Sequence, residues 1–332
     1  MRGTDMERMI EMALQTQPDS GQLAVAATSK RFVRFRKYLP LTLMVIPGLL
    51  YLMINNYLPM AGLVIAFKEI NFAKGILASD WVGWKNFEYL FATSDAYIIT
   101  RNTILYNAAW IVLGTMLAIF LAIMLNEVKQ KLFARFYQSV IVLPHLISIV
   151  IVAYLVYAAL SLETGFINKS ILPLFGMDDI MFYFEPKYWP FILTAVHLWK
   201  GLGFSVVVYF AAIIGIDEEY YEAARLDGAT KWQQIRSITL PLISPVIIML
   251  TLLAVGRIFY SDFGLFYQVP MNSGPLYETT NVIDTYVYRG LLGLGDIGMS
   301  AAAGFYQSIV GFILVLTANF IVRKIDRDNA LF

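Results

Sequence analysis

Apolar residues in this chain come in long runs separated by short polar stretches. A bilayer core about 30 Å thick is crossed by about 20 residues of helix. Six runs reach that length, at residues 39–67, 98–125, 137–161, 188–215, 241–263 and 300–322. The pattern predicts an all-α integral membrane protein with about six transmembrane helices. Pro47 and Gly48 fall inside the first run, where a membrane helix tolerates them if its neighbours re-satisfy the backbone. Asn55, Asn56 and Pro59 predict a turn at the outer end of that run. Trp81, Trp84, Tyr183, Tyr188 and Trp189 fall at outer span boundaries, where interfacial aromatics anchor. The chain divides into a cytoplasmic tail (1–37), a first helix with its outer loop (38–97), a core (98–323) and a short cytoplasmic tail (324–332). Residues 1–29 are polar without a clear period and read as a flexible or loosely helical segment.

Charge sets the orientation. Lys30–Lys37, Lys129, Lys131, Arg135, Arg225, Lys231, Arg236, Arg323, Lys324 and Arg327 all fall on one side if the N-terminus is cytoplasmic. The other side holds fewer: Lys68, Lys74, Lys85, Lys169, Lys187 and Arg289. The excess of Lys and Arg marks the cytoplasmic face, so both termini are inside. The basic run at Lys30–Lys37 leads into a long apolar stretch without a small-residue cleavage site, which reads as a retained helix and not a signal peptide.

Composition narrows the chemistry. The chain is 58% hydrophobic and 15% charged, with a formal net charge of +1, and its mean hydropathy is +0.63. Such a chain is too apolar for a soluble protein, and its charge gives no reason to expect a nucleic-acid partner. It has no cysteine and two histidines, His145 and His197, so no metal site is expected. The segment Gly165–Ser170 lacks the second glycine of a phosphate-binding loop, so ATP hydrolysis by that route is excluded.

Between the fourth and fifth runs lies EAARLDGATKWQQIRSITLP, residues 222–241. Its spacing is E-A-A, three residues, G, nine residues, I, one residue, L-P. Asp217 predicts an N-cap, with Glu218 and Glu219 in the first turn that follows. Gly228 suits a left-handed turn after that helix, and Thr230 with Gln233 predicts a capping box on a second helix. Pro241 is expected to end the second helix and open the next span, leaving a helix–turn–helix flat under the membrane. The stretch closely resembles the EAA loop of permease subunits of bacterial ABC importers. Three further segments extend the resemblance over about residues 38–323: Val82–Phe91 resembles a segment before the core of carbohydrate permeases, Asn102-Thr103 the opening of that core, and Leu143-Pro144 the start of its next span.

The resemblance implies a type I ABC importer permease fold, N-in and C-in, in a bacterial inner membrane. It implies a coupling loop at 216–241 that docks on an ATPase through Glu222, Ala223, Ala224, Asp227, Gly228, Ile238, Leu240 and Pro241. The implied partners are a second permease, two ATPase subunits that carry the ATP and Mg, and an extracytoplasmic solute-binding protein. No cofactor is expected on this chain. The subgroup it resembles imports oligosaccharides and polysaccharide fragments.

An ionisable group inside a span marks a candidate functional site. Lys200 lies in the fourth run with His197, Trp199 and Phe204 nearby, and Arg257, Tyr260, Asp262 and Phe263 lie in the fifth. Aromatic rings and polar groups between these two spans would suit a sugar. Lys200 and Arg257 together would suit an acidic saccharide such as a uronate oligomer; alternatively Lys200 serves a backbone carbonyl and Arg257 pairs with a carboxylate. A neutral oligosaccharide remains the other substrate reading. A membrane enzyme is disfavoured, because Asp178-Asp179 has no His or Cys to work with. A secondary transporter is disfavoured by the loop. His145 reads as a structural hydrogen-bonder near the inner end of the third span, and loop 264–299 as a docking surface.

Overall fold

The computed structural model describes residues 38–325. The terminal tails, with the basic run Lys30–Lys37 and Arg327, lie outside the described residues. The chain separates into two compact units, meeting between Gly62 and Leu63. The first helix, α1 (Tyr38–Phe67), buries none of its apolar window within the chain. It does not turn at Asn55–Pro59 as the sequence suggested. A π-helical turn at Met53–Tyr57 absorbs the two asparagines, and Asn55 returns its amide to the Tyr51 carbonyl at 3.0 Å. Pro59 sits in the first turn of the next helical piece, where its missing N–H costs nothing.

Within the second unit, a two-residue strand β1 (Lys68–Glu69) pairs antiparallel with β2 (Asp80–Trp81). Helix α2 (Lys85–Ala92) follows. Its Asn86 donates to the Ala66 and Lys68 carbonyls at 2.9 and 3.0 Å, and its amide occupies the space in front of Gly298. The Val82–Phe91 motif thereby ties the strand pair to the last helix.

The core helices are α3 (Asp95–Asn126), α4 (Lys131–Leu146), α5 (Ile149–Leu160), α6 (Trp189–Ile214), α7 (Glu218–Leu226), α8 (Lys231–Gln234), α9 (Leu240–Val255), α10 (Phe263–Gln268), α11 (Tyr277–Thr280), α12 (Ile283–Arg289) and α13 (Ile297–Ile325). Among the described residues five helices are long and apolar enough to cross a membrane, and the pair α4–α5 makes a sixth crossing if taken together. Most apolar side chains on these helices stay exposed, as a bilayer requires, and burial gathers in two main clusters, one where α3, α5, α6 and α10 meet and one where α3, α6 and α9 meet.

Two spans depart from the straight helices expected. The third bends by 94° between α4 and α5. Ile147 and Ser148 are both extended there, three residues after Pro144, which cannot donate to the helix ladder. Leu143-Pro144 therefore marks a mid-span break, and His145 lies at that break and not at the inner end. The fifth span begins earlier and ends earlier than expected. Helix runs from Lys231 to Val255, so the segment after Thr230 is continuous with the span and Pro241 lies in its course. Gly256 then ends α9, and residues 256–262 form a turn before Asp262 caps α10.

Trp189 is another correction. It is fully buried and donates to the Phe182 carbonyl at 2.7 Å, so it is a core residue and not an interfacial anchor. Trp81 and Trp84 are exposed.

Helix α6 holds its neighbours closely. A Cβ on Gly203 would fall on the Ile141 carbonyl and 2.9 Å from the Val142 Cα, so α4 and α6 touch backbone to backbone. Overpacking such a contact costs about 1–3 kcal/mol. Gly203→Val should lower the thermal unfolding midpoint of the purified protein by several degrees. An unchanged midpoint would mean α4 gives way freely.

Candidate functional site

Two features converge on α3, α6 and α9: a cavity of mixed polar and apolar lining in the middle of the helices and an exposed loop at one end. The cavity holds about 360 Å³, inside the range of about 300–1,000 Å³ that small-molecule sites occupy. Helix α3 contributes Asn107, Trp110, Gly114 and Thr115, and α6 contributes His197, Gly201, Ser205 and Tyr209 at a spacing of four. That spacing keeps all four on one helical face. The end of α9 and the following turn add Leu250, Ala254, Arg257 and Tyr260.

Polar contacts hold these walls in place. Trp110 stacks flat on His197, with ring centroids 3.7 Å apart and planes at 10°. Its indole N–H donates to Thr194 at 3.1 Å. Asn107 donates to the Ile258 and Tyr260 carbonyls at 3.0 and 3.1 Å. These carbonyls belong to the turn after α9, so a side chain of α3 satisfies the break that presents Arg257 and Tyr260 to the cavity.

Of the sequence candidates, the structure brings His197, Arg257 and Tyr260 together on the cavity wall. It does not bring Trp199, Lys200, Phe204 or Asp262 there. Trp199 and Phe204 point to the outer surface of the chain, both exposed. Asp262 accepts from the Leu265 N–H at 3.1 Å and caps α10. Phe263 stacks on Tyr267 away from the cavity lining.

Lys200 has a different task. Its ammonium donates to the His145 and Ile147 carbonyls at 3.0 and 2.7 Å. The break leaves these carbonyls at the C-terminal end of α4 without helical partners, and a cation suits that end of a helix. The pairing of Lys200 with backbone carbonyls is thus the arrangement found, and the acidic-saccharide argument loses one of its two cations.

Sequence reasoning missed Asn107, Trp110, Gly114, Thr115, Gly201, Ser205 and Tyr209. The fourfold spacing 197, 201, 205, 209 was the available signal. In an apolar run that spacing fits a helix-packing face as well as a cavity wall.

The loop is at the opposite end of α6. Asp217 accepts from the Glu219 N–H at 3.0 Å and starts α7. Gly228 has φ +77°, the left-handed region that glycine enters without strain. Thr230 and Gln233 form the capping box of α8. Glu222, Ala223, Asp227 and Gly228 are exposed, and Ala224 is half-buried. Ile238 and Leu240 are half-buried within the π-helical turn and the start of α9, while Pro241 is exposed. Leu226 and Trp232, 90% and 68% exposed, bracket the Gly228 turn with apolar surface that the chain itself leaves uncovered.

One contact ties the loop to the end of α3, and two hold the loop together internally. Lys231 reaches Glu127 at the end of α3 at 2.8 Å, Tyr221 and Thr239 share a hydrogen bond at 2.9 Å, and Gln234 donates to the Ala229 carbonyl at 3.0 Å. The Lys231–Glu127 pair is exposed and contributes at most about 1 kcal/mol. Below it a second cavity of about 470 Å³ is walled by Glu127, Lys129, Arg225 and Lys231.

A predominantly helical membrane protein with a central cavity and a braced loop at one end is built as a transport subunit. Residues 114–327 match the family of binding-protein-dependent transport system inner membrane components, and the chain belongs to that family. It is 36% identical over 294 residues to the polygalacturonan/rhamnogalacturonan transport system permease protein YteP of Bacillus subtilis (strain 168), covering 89% of this chain and 90% of that one. A crystal structure of a bacterial ABC transporter involved in the import of the acidic polysaccharide alginate superposes with a TM-score of 0.82 at 35% identity, covering 90% of this chain and 99% of that chain. The same type of transporter in complex with an alginate pentasaccharide-bound periplasmic protein superposes with a TM-score of 0.80 at 35% identity, over 89% of this chain and 97% of that one. The chain is therefore an inner-membrane permease of the type I ABC importer fold, and not an enzyme. Its loop end, with Lys129, Lys131, Arg135, Arg225, Lys231, Arg236, Arg323 and Lys324, is the cytoplasmic one.

Lys200→Met would leave two carbonyls unpaired inside the membrane, at a cost of about 1–3 kcal/mol. The variant should lose its monodisperse detergent-solubilised form several degrees below the wild type, while Lys200→Arg should stay close to it. A Met variant as stable as the wild type would mean the break is satisfied by other groups.

Proposed function

We propose that this chain forms one half of the translocation path for a saccharide, powered by ATP hydrolysed on partner subunits that dock on residues 216–241. The cavity carries the reading. Its walls combine the ring of Tyr260 with the hydroxyl and imidazole groups of Thr115, Ser205 and His197. Sugars present both apolar ring faces and hydroxyls, and this lining offers partners to both. The relatives named above transport or import polysaccharides, which supports the same reading.

Arg257 is the one lining residue with a permanent charge. Arg257 is exposed at the cavity wall, and a guanidinium there favours a carboxylate-bearing saccharide through charge-assisted hydrogen bonds. The preferred substrate is thus an oligomer containing uronate. A neutral oligosaccharide is the second reading, supported by the neutral character of the remaining wall.

In this account the loop transmits force. Glu222 offers a carboxylate to a basic residue of the ATPase. Ala223, Ala224 and Asp227 give a surface that a partner approaches closely, and Gly228 keeps the turn. Ile238, Leu240 and Pro241 join the loop directly to α9, so its displacement reaches the Arg257–Tyr260 turn along one continuous helix. ATP and Mg belong to the ATPase pair. A second permease completes the path, and an extracytoplasmic solute-binding protein delivers the solute.

The test is ATP hydrolysis by the complex in proteoliposomes, with binding protein and either a uronate or a neutral oligosaccharide of equal length. Uronate should stimulate hydrolysis. Arg257→Gln should reduce that stimulation about tenfold, the loss of roughly one charged hydrogen bond. Equal stimulation by both sugars, unaffected by Arg257→Gln, would favour the neutral substrate. Glu222→Lys or Gly228→Asp should abolish stimulation by any solute; retained stimulation would refute coupling through the loop.

A further inference from the structure

Two glycines on α6 differ in what they do for the fold. Gly203 is buried, and a Cβ there would collide with the α4 backbone at Ile141 and Val142. Packing demands that glycine. Gly201, two residues earlier, faces the cavity, and a Cβ there would meet nothing within 4 Å. Its φ lies outside the left-handed region, so no backbone requirement explains it either. A glycine in the middle of a helix weakens the helix relative to alanine. At Gly201 the fold accepts that weakness without a packing or conformational return. What the missing side chain provides is space.

The neighbouring residues show where that space lies. Gly201 is midway along the row His197, Gly201, Ser205, Tyr209, all on the cavity wall. Across the cavity α3 places a second glycine, Gly114, whose Cβ would make an ordinary 3.8 Å contact with Leu198. The imidazole–indole stack of His197 and Trp110 closes in on one side of this pair of glycines, and the large Tyr209 ring on the other.

We propose that Gly201 sets the bore of the path and is a specificity-determining residue, holding the cavity open to the width of a sugar ring at its middle. The inference rests on the reading of this cavity as a saccharide path. A side chain at 201 projects into the path without disturbing the helices, so obstruction scales with its volume. The competing role for a glycine four residues before Ser205 is close packing against a helix of the second permease.

The chain has no cysteine, so a single one reports cleanly. In the assembled importer, Gly201→Cys should react with a small cationic methanethiosulfonate at least about tenfold faster than Ala118→Cys, which is buried between α3 and α6 and so shielded from reagent. Uptake of a uronate trisaccharide should stay within about twofold of wild type in Gly201→Ala and fall more than about tenfold in Gly201→Leu, with Gly201→Val between. An unreactive Gly201→Cys, uptake that ignores side-chain volume, or loss of the second permease on purification of Gly201→Val would each overturn the proposal. A wild-type complex that takes up no saccharide would refute the substrate reading, whereas a reactive Gly201→Cys would still show a bore at this residue.

Discussion

Inside a bilayer the backbone has no water to turn to, so each interruption of a helix must be satisfied by a side chain from elsewhere in the protein. This constraint organises the core of the permease. Three interruptions matter, and each has a named donor. Lys200 on α6 serves the carbonyls at the α4–α5 break. Asn107 on α3 serves the turn after α9. Asn102, near the outer end of α3, donates to the Glu278 and Asn281 carbonyls at 3.0 and 2.9 Å, anchoring the irregular segment between α10 and α12. Helices α3 and α6 pack more extensively on each other than any other pair. They are therefore both the frame of the core and the source of the donors that let neighbouring spans bend.

The cavity lies beside those bends. Arg257 and Tyr260, three residues apart, would share a face even on a continuous helix. Ending α9 at Gly256 places both in a turn at the cavity wall, and Asn107 fixes that turn. The 94° bend directs α5 away from α4, and Ile149 at its start lands on Gly264 of α10, where a Cβ would be 3.0 Å from its methyl. Lys200, the break, α5, α10 and the Arg257 turn thus form one mechanical sequence around the cavity. The helix that leads to the Arg257 turn begins at Lys231 in the exposed loop. In the proposed mechanism a push on the loop reaches the cavity along this helix.

Much of this was legible in the amino-acid sequence. Span number and orientation follow from run length and from the placement of Lys and Arg, properties that need no tertiary information. The loop was legible in detail because caps and turns are local: Asp217, Gly228, Thr230 and Gln233 each act within four residues of themselves. Breaks inside apolar runs were not legible. Pro144 is compatible with a helix that continues or one that stops, and Lys200, remote in sequence, decides which carbonyls go unpaired. The same remoteness left Lys200 open between a substrate cation and a partner of backbone carbonyls, since an isolated sequence shows a charge in a span but not the carbonyls it faces; the structure has the second. Trp189 likewise looks interfacial by position and is buried by the packing of α10 and the segment around Leu276 over it.

The account stands on the exposed loop being the docking point of the proposed ATPase. Leu226→Cys is the direct probe, since Leu226 is 90% exposed, lies beside the Gly228 turn and is outside the E-A-A-G spacing itself. In inner-membrane vesicles containing the assembled importer, a short bifunctional thiol reagent should join this cysteine to an ATPase subunit, with a yield that changes when ATP is added. A cysteine that joins no ATPase, or that is reached by impermeant reagent from the periplasmic side, would contradict it.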